Sequence, residues 1–261
     1  MRKYLHLIKI SFINTLDYRQ ELVTNFAISI LIFAPMAIFW RAVFETQDEV
    51  KGFTFPEIIQ YYIILNILLD IVDSQFAFKM IKDVLKGQIS NLLLKPVQIK
   101  PWMFFYEIGQ MLPLIIVKLI VFGVFFEVFI GEFPVDPLNL LFALLILPIS
   151  FTINANIYFV MGSISFWVGE VKGLIYGLRR VIIFLSGGLV PVVFFPDFLR
   201  EVLVYLPFRY TFQFPLEIFH DGVSEDQLIG FVIMLGWLII LAFASNRFFI
   251  YSYRKNESVG I

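Results

Sequence analysis

The dominant pattern along the chain is a series of long apolar segments separated by short polar stretches. A helix needs about 20 predominantly apolar residues to cross the hydrocarbon core of a bilayer. Segments of that length occur at residues 25–44, 58–78, 111–130, 138–167, 174–195 and 227–250. The pattern therefore predicts an all-α polytopic membrane protein with six transmembrane helices. None of the intervening stretches is long enough for a second domain, so residues 1–261 are interpreted as a single transmembrane domain.

Composition points to the same class of protein. The chain is 59% hydrophobic and 16% charged and has 32 phenylalanines, whereas a soluble domain holds about 45–50% apolar and 25% charged residues. A net charge of −1 leaves no overall basic footprint for nucleic acid. The chain has no cysteine, and its two histidines, His6 and His220, are far apart in sequence. Disulfides and thiol chemistry are thus excluded, and no metal site is predicted.

The distribution of Lys and Arg predicts the orientation in the membrane. Fifteen of the 20 basic residues lie in the N-terminal segment, in the stretches 79–102 and 168–180, and in the C-terminal tail. Four lie in the stretches that alternate with these: Arg41, Lys51, Arg200 and Arg209. Because positive charge accumulates in cytoplasmic loops, both termini and the two basic stretches are predicted to be cytoplasmic.

Two segments have the pattern of helices that lie on the membrane surface. In residues 1–24 an apolar stripe at helical spacing, including Leu5 and Ile8, faces a polar one, which predicts an interfacial helix. The stretch KMIKDVLKGQISNLLLKPVQIKP, residues 79–101, has an apolar side of Ile81, Val84, Leu85, Ile89, Leu92 and Leu93. Its polar side holds Lys82, Asp83, Lys86 and Ser90, and Gly87 interrupts it. It is either a basic helix held by anionic lipid or a surface helix that a cytoplasmic partner contacts.

Charged and amide side chains also occur inside the predicted spans. Asp70 in the second span and Lys118 in the third are expected at similar depth, where they could pair, and Asp73 shares a helix face with Asp70. Asn154 and Asn156 lie in the fourth span. A structural ion pair and polar contacts between helices are one interpretation. The other is that these residues line a substrate path.

The stretch SGGLVPVVFFPDFLREVLVYLPF, residues 186–208, interrupts the apolar pattern. Gly187, Gly188 and Pro191 break the fifth span, and a short helix is predicted between Pro196 and Pro207. Its apolar arc holds Phe198, Leu199, Val202, Leu203 and Leu206, and Asp197, Arg200 and Glu201 lie opposite. Residues 186–222 are predicted to dip into the outer leaflet as a re-entrant hairpin, with Phe198, Val202 and Leu206 packed against spans five and six. An ordinary outer loop with one interfacial helix is the alternative.

Motifs of known catalytic chemistry are absent from the sequence. No G-x-x-x-x-G-K-S/T loop, G-x-S-x-G elbow or H-E-x-x-H occurs. The nearest glycine-rich segment, GLIYGLRR at residues 173–180, lacks the Gly-Lys-Ser/Thr ending. The chain is therefore not expected to hydrolyse nucleotide by itself.

The segments SGGLVPVVFFPDFLREVLVYLPF and QFPLEIFHDG, together with GQISNLLLKPV at residues 87–97, resemble ABC-2 type transporter permeases, in particular bacterial ones of about 260 residues. The resemblance covers the whole chain. It implies the permease subunit of an exporter in the bacterial inner membrane, paired with a second permease subunit as a homodimer or heterodimer. It also implies two cytoplasmic ATP-binding subunits that hold ATP and Mg, while this chain holds no cofactor.

The resemblance assigns roles to particular segments. The ATPase subunits would contact residues 1–22 and a coupling helix at about 80–95. The coupling residues would be Lys86, Gly87, Gln88, Ile89, Ser90, Asn91 and Leu92. An outer gate would be formed by Gly187, Gly188, Pro191, Pro196, Phe198, Val202, Leu206 and Pro207.

Two other functions fit parts of the pattern. A secondary transporter could use Asp70 for proton coupling, although no inverted repeat accompanies it. An intramembrane enzyme could use Asp70 and Asp73, although no His or Cys partner accompanies them. The apolar lining favours a hydrophobic or amphiphilic substrate over a small ion, and drug, lipid, glycolipid and peptide all fit that description.

Overall fold

The computed structural model describes residues 2–89, 98–129, 136–168 and 171–257, and no strand occurs within them. The helices are α1 (Arg2–Asp17), α2 (Arg19–Phe44), α3 (Phe55–Val72), α4 (Phe76–Leu85), α5 (Ile99–Phe129), α6 (Pro137–Ser163), α7 (Lys172–Leu185), α8 (Asp197–Tyr205), α9 (Gln213–Asp221) and α10 (Glu225–Glu257). Short 3₁₀ turns follow α6 at Ile164–Phe166 and α7 at Val192–Phe194. The prediction of an all-α protein is confirmed for the described part of the chain.

Within the described residues, five helical segments are long and apolar enough to cross a membrane. They are Leu22–Phe44, Phe55–Leu85, Ile99–Gly123, Pro137–Phe166 and Glu225–Lys255. Each contains 23 to 31 residues, which corresponds to roughly 35–46 Å of helix. These five segments overlap the predicted first, second, third, fourth and sixth spans.

The predicted fifth span, residues 174–195, is not confirmed as a long helix. α7 has 14 residues, fewer than the roughly 20 that a straight crossing needs. It ends in a Schellman motif, in which Gly187 N–H donates to Phe184 O (3.1 Å) and Gly188 N–H donates to Ile183 O (2.8 Å). Gly187 adopts φ +79°, a conformation that glycine reaches without a Cβ penalty. The predicted break at the two glycines is therefore present.

Two other boundaries differ from the predicted ones. α5 begins at Ile99, twelve residues before the predicted start of the third span at residue 111. Pro101 lies in its first turn, where the missing N–H would have no helical partner in any case. The second span is interrupted at residues 73–75, between α3 and α4.

The described residues form two compact units. The first unit comprises residues 1–71 and 105–137. In it α1 lies against α5 at Gly109, where a Cβ would overlap the Ser11 side chain and the Ile8 backbone. The rings of Tyr4 and Phe105 stack with centroids 4.8 Å apart beside this contact. α1 thus packs against α5 through Ile8 and Ser11 and leaves Leu5 exposed, and its interfacial position stays a prediction.

The second unit comprises residues 72–104 and 138–261. One apolar core of this unit lies where α9 packs between α6 and α10. Phe214 and Ile218 of α9 are buried there with Ile153 of α6 and Met234 of α10. α9 can approach α10 closely because Gly230 has no side chain, and a Cβ there would lie 2.6 Å from the Phe214 ring.

Candidate functional site

In the first unit, the predicted pairing of Asp70 and Lys118 is present. Lys118 Nζ lies 2.8 Å from Asp70 Oδ2, and the two side chains are 7% and 21% exposed respectively. The ammonium also donates to Asn66 O (3.0 Å) and Asn66 Oδ1 (2.9 Å). A Lys ammonium has three donors, so these contacts account for the charge within an apolar segment.

A second buried ion pair, which the sequence pattern did not predict, joins Asp73 to Arg179 in the second unit. Arg179 Nε donates to Asp73 Oδ2 at 3.0 Å, Arg179 Nη2 also bonds this oxygen, and the carboxylate is 4% exposed. Asp73 lies in the break after α3 and Arg179 lies on α7. Asp70 and Asp73 are therefore each matched with a separate cation.

The asparagines of α6 connect this helix to two other segments. Asn154 Oδ1 accepts from Ser74 N–H (2.9 Å), in the same break that carries Asp73. Asn156 Oδ1 accepts from Ser245 Oγ (2.7 Å) on α10. Lys100 Nζ in turn donates to Ser245 Oγ (2.7 Å) and to Asn246 Oδ1 (3.2 Å). Both asparagines make the contacts between helices that one interpretation expects, and a role in lining a path stays a prediction.

The predicted coupling segment begins with a sharp turn after α4. Lys86 caps the helix, and Gly87 has φ +66° with open space around the position of a Cβ. Lys86, Gly87 and Gln88 are exposed and Ile89 is buried. Ser90, Asn91 and Leu92 lie outside the described residues.

The buried face of α4 matches the predicted one only in part, since Ile81 is buried as expected but two other residues are not placed as predicted. Asp83, expected on the polar side, is buried, whereas Leu85, expected on the apolar side, is 44% exposed. The reason is that α4 packs through a stripe of Phe76, Met80 and Asp83, spaced i, i+4 and i+7. Gly162 of α6 lies against this stripe, since a Cβ there would be 2.9 Å from the Cα of Ala77.

The predicted short helix of the outer gate segment is present as α8. It begins directly after Pro196 and ends two residues before Pro207. Its predicted packing was wrong in part, because Phe198 is 69% exposed and Val202 is 51% exposed. Leu203 is fully buried instead, and Leu199 and Leu206 pack with it against Val192 and Phe195.

Polar contacts fix the turn between α8 and α9. Tyr210 Oη donates to Val204 O (2.6 Å), and burial raises the pKa of this hydroxyl, so it remains a donor at neutral pH. Trp237 Nε1 on α10 donates to Tyr205 O (2.9 Å). Arg209, placed at the outer surface by the charge pattern, pairs with Glu217 of α9 at 2.7 Å.

These sites show no arrangement for metal binding. Among the described residues, no group of three or more His, Cys, Asp or Glu side chains could hold a metal ion. The ion pairs and amide contacts instead hold apolar segments together at defined positions, as polar side chains within membrane-spanning helices commonly do.

Comparison with known proteins identifies the family. No individual curated protein matches the chain significantly. The family model described as "ABC-2 family transporter protein" matches residues 30–260 of the 261 residues. This match covers the described spans from within α2 to the end of α10, including the two ion pairs and the α8–α9 segment. The chain is therefore a multi-pass membrane protein that belongs to the ABC-2 family of transporter proteins.

Proposed function

We propose that this chain is the permease subunit of an ATP-binding-cassette exporter in the bacterial inner membrane. Two permease subunits form the translocation path, and two cytoplasmic subunits bind ATP and Mg and drive it. The observation that carries the proposal is the family match over residues 30–260, in a sequence without a phosphate-binding loop. In this proposal the energy for transport comes from the ATP-binding subunits.

The turn at Lys86–Gln88 supports a contact with the ATPase. Its three residues are exposed, and the Gly87 backbone leaves room around the α-carbon for a partner's surface. α4, which leads into this turn, is held to the second unit through buried Met80 and Ile81. A force applied at Gly87 would therefore be passed directly to a packed helix.

Several contacts favour a re-entrant course for residues 186–222. Tyr205 O accepts a hydrogen bond from Trp237, which is twelve residues, or roughly 18 Å, from the start of α10. At the other end of α9, Gly222 lies beside Asn139, two residues into α6. Tyr205 thus lies beside the middle part of α10, whereas Gly222 lies beside the start of α6. Backbone at such depth is tolerated when protein surrounds it, and α6 and α10 surround α9.

The intramembrane ion pairs argue against proton coupling through Asp70. Asp70 and Asp73 are each neutralised by a cation. A proton-coupled transporter would need a carboxylate that exchanges protons, whereas a close cation stabilises the ionised form. Export driven by ATP and acting on a hydrophobic or amphiphilic molecule agrees better with these pairs than ion-coupled transport through Asp70.

The coupling proposal is tested with two matched glycine substitutions. Gly87 and Gly52 both have positive φ, 66° and 86°, and both have open space around the position of a Cβ. Gly87→Trp and Gly52→Trp therefore impose a similar backbone strain, about 1–2 kcal/mol. In native membranes, the tagged chain is expected to purify with an ATP-binding subunit. Gly87→Trp should abolish ATP-driven transport, and Gly52→Trp should retain most of it.

Two results would contradict the proposal. Purification from native membranes without any ATP-binding subunit would exclude the assigned partner. Equal transport by the two tryptophan variants, at equal amounts of folded protein, would remove the Lys86–Gln88 turn from the coupling contact.

A further inference from the structure

A basic cavity lies at the C-terminal end of α10. It has a volume of about 580 Å³ and is lined by Arg247, Ile250, Tyr251, Arg254 and Lys255. Three of these five residues are cationic, and none is acidic. The residues recur at i, i+3, i+4, i+7 and i+8, so they share one face of the last helical turns. We call them the α10 basic face.

Aromatic rings accompany the cations of the α10 basic face. The Arg247 guanidinium lies 5.1 Å from the centre of the Phe243 ring, and Lys255 Nζ lies 5.5 Å from the Trp167 ring. Trp167, at the end of the span that contains α6, also contacts Tyr251, with ring centroids 5.7 Å apart. Trp and Tyr beside Lys and Arg are typical of the membrane–water interface, where an apolar ring and a polar edge are both accommodated.

An exposed apolar stripe continues from the α10 basic face toward the middle of the helix. Phe243 is 62% exposed, Ile240 55% and Ile239 70%. At 100° per residue these positions fall on the same side of α10 as Arg247 and Arg254. Arg247 and Arg254 themselves are separated by about 10 Å along the helix axis, slightly more than the 5–8 Å depth of one headgroup layer. The surface therefore matches a molecule with an anionic head and apolar chains.

We propose that the α10 basic face binds the headgroup phosphate of an anionic phospholipid, whose acyl chain lies along Phe243, Ile240 and Ile239. Arg supplies a planar fork of donors that matches phosphate oxygens, and Lys adds a point charge. A second copy of this chain is a less suitable occupant. In the same membrane it would have the same orientation, so a symmetric contact through this face would set like charges against each other. The site requires only that α10 lies in a bilayer, so it is independent of the transport function.

The test uses the full-length chain in detergent and native mass spectrometry. The probes are phosphatidylglycerol, phosphatidylcholine with the same acyl chains, and inorganic phosphate. The wild-type chain is expected to retain one phosphatidylglycerol at least tenfold more tightly than phosphatidylcholine, and to lose this preference at high salt. Inorganic phosphate at equal concentration should not displace the lipid, because it lacks the apolar part.

Variants assign the preference to particular side chains. Each cation near an anionic surface contributes roughly a fivefold change in binding, so Arg247→Gln/Arg254→Gln should weaken phosphatidylglycerol retention by about 25-fold. Arg247→Lys/Arg254→Lys should keep most of it. Arg41→Gln/Lys51→Gln removes the same charge from exposed positions at the end of α2 and in the segment that follows it, and should change retention less than twofold.

Three outcomes would overturn the proposal. Equal retention of the two lipids by the wild-type chain would show that charge is not recognised, and this comparison does not depend on any variant folding. Equal losses of phosphatidylglycerol retention in the two glutamine variants would show that the preference depends on the net charge of the protein rather than on the α10 basic face. Displacement of the lipid by inorganic phosphate would identify a site for a soluble anion.

Discussion

At the scale of single residues, Lys118 illustrates how a charge is accommodated within an apolar helix. Its ammonium contacts a carboxylate, a backbone carbonyl and an amide oxygen, all at 2.8–3.0 Å. Burying an ammonium group without partners is expensive, and the partners come from one turn of α3, at Asn66 and Asp70. A single turn of α3 thus supplies these three partners of the Lys118 ammonium.

Removing only the cation should therefore destabilise the protein. Lys118→Met leaves the Asp70 carboxylate without its nearest cation and should lower the free energy of unfolding by about 3 kcal/mol. Asp70→Asn/Lys118→Met removes both charges and should recover all but about 1 kcal/mol. Unfolding by SDS in mixed micelles measures both values. A double variant as unstable as Lys118→Met would show that packing, rather than charge, explains the loss.

The two ion pairs differ in how well the sequence predicts them. The predicted second span runs inward and the third runs outward. Asp70 lies toward the end of the second span and Lys118 toward the start of the third, so the two residues lie at similar depth, and depth alone suggests their pairing. Asp73 and Arg179 are 106 positions apart, and the charge pattern placed Arg179 among the basic residues of a loop. Arg179 also lies within the predicted fifth span, 174–195, but its pairing with Asp73 became apparent only from the structure, which brings α7 to the break after α3.

At the scale of elements, α8 shows why an amphipathic arc does not determine which of its residues are buried. Four apolar residues of α8 and Leu206, which directly follows it, share a broad arc, but only the part around Leu203 is covered by Val192 and Phe195. Phe198 and Val202 lie at the uncovered edge of the same arc. The sequence predicted the ends of α8 correctly because Pro196 and Pro207 fix them locally. The buried side depends on a 3₁₀ turn, which no periodicity indicates.

Two truncations in α8 should show that the buried edge of this arc contributes more to stability than the exposed edge. Leu203→Ala removes a fully buried side chain and should lower the free energy of unfolding by about 2–5 kcal/mol. Val202→Ala changes a half-exposed side chain and should lower it by no more than about 0.5 kcal/mol. The same SDS titration compares them. Equal destabilisation would mean that another surface covers Val202 in the folded protein.

The contact between α9 and α10 depends on one glycine and can be tested with a second glycine on the same helix. A Cβ at Gly230 would overlap the Phe214 ring, whereas Gly236 has nothing within 4 Å. Gly230→Ala should destabilise the protein by about 1–3 kcal/mol, because either the ring or α9 must move. Gly236→Ala should be neutral or stabilising by up to about 1 kcal/mol, since alanine favours the helix. Thermal unfolding of both variants decides whether close packing at Gly230 fixes α9.

At the scale of the whole molecule, the number of membrane crossings and the distribution of charge must agree. Five crossings would leave the two termini on opposite sides of the membrane, whereas the excess of Lys and Arg favours the same side for both. The five long segments of the described residues therefore need one more crossing. Hydropathy alone predicted a full-length helix at 174–195, because a sliding average does not detect the Schellman motif that ends α7 after 14 residues.

We expect α7 and the turns that follow it to complete the sixth crossing. α7 spans roughly 21 Å, and residues 186–195 continue the apolar stretch beyond Gly188. The two ends of this crossing are marked by Lys172 and Glu201, both exposed. Lys51 and Lys86, also exposed, mark the outer and cytoplasmic sides that the charge distribution predicts.

Cysteine labelling tests this arrangement without background, because the chain has no native cysteine. Each exposed residue is replaced singly by cysteine, a change that should alter stability by no more than about 0.5 kcal/mol. In intact cells an impermeant maleimide should label Lys51→Cys and Glu201→Cys. Lys86→Cys and Lys172→Cys should react only after the membrane is permeabilised. Labelling of Lys172→Cys and Glu201→Cys from the same side would show that α7 does not cross, and the termini would then lie on opposite sides of the membrane.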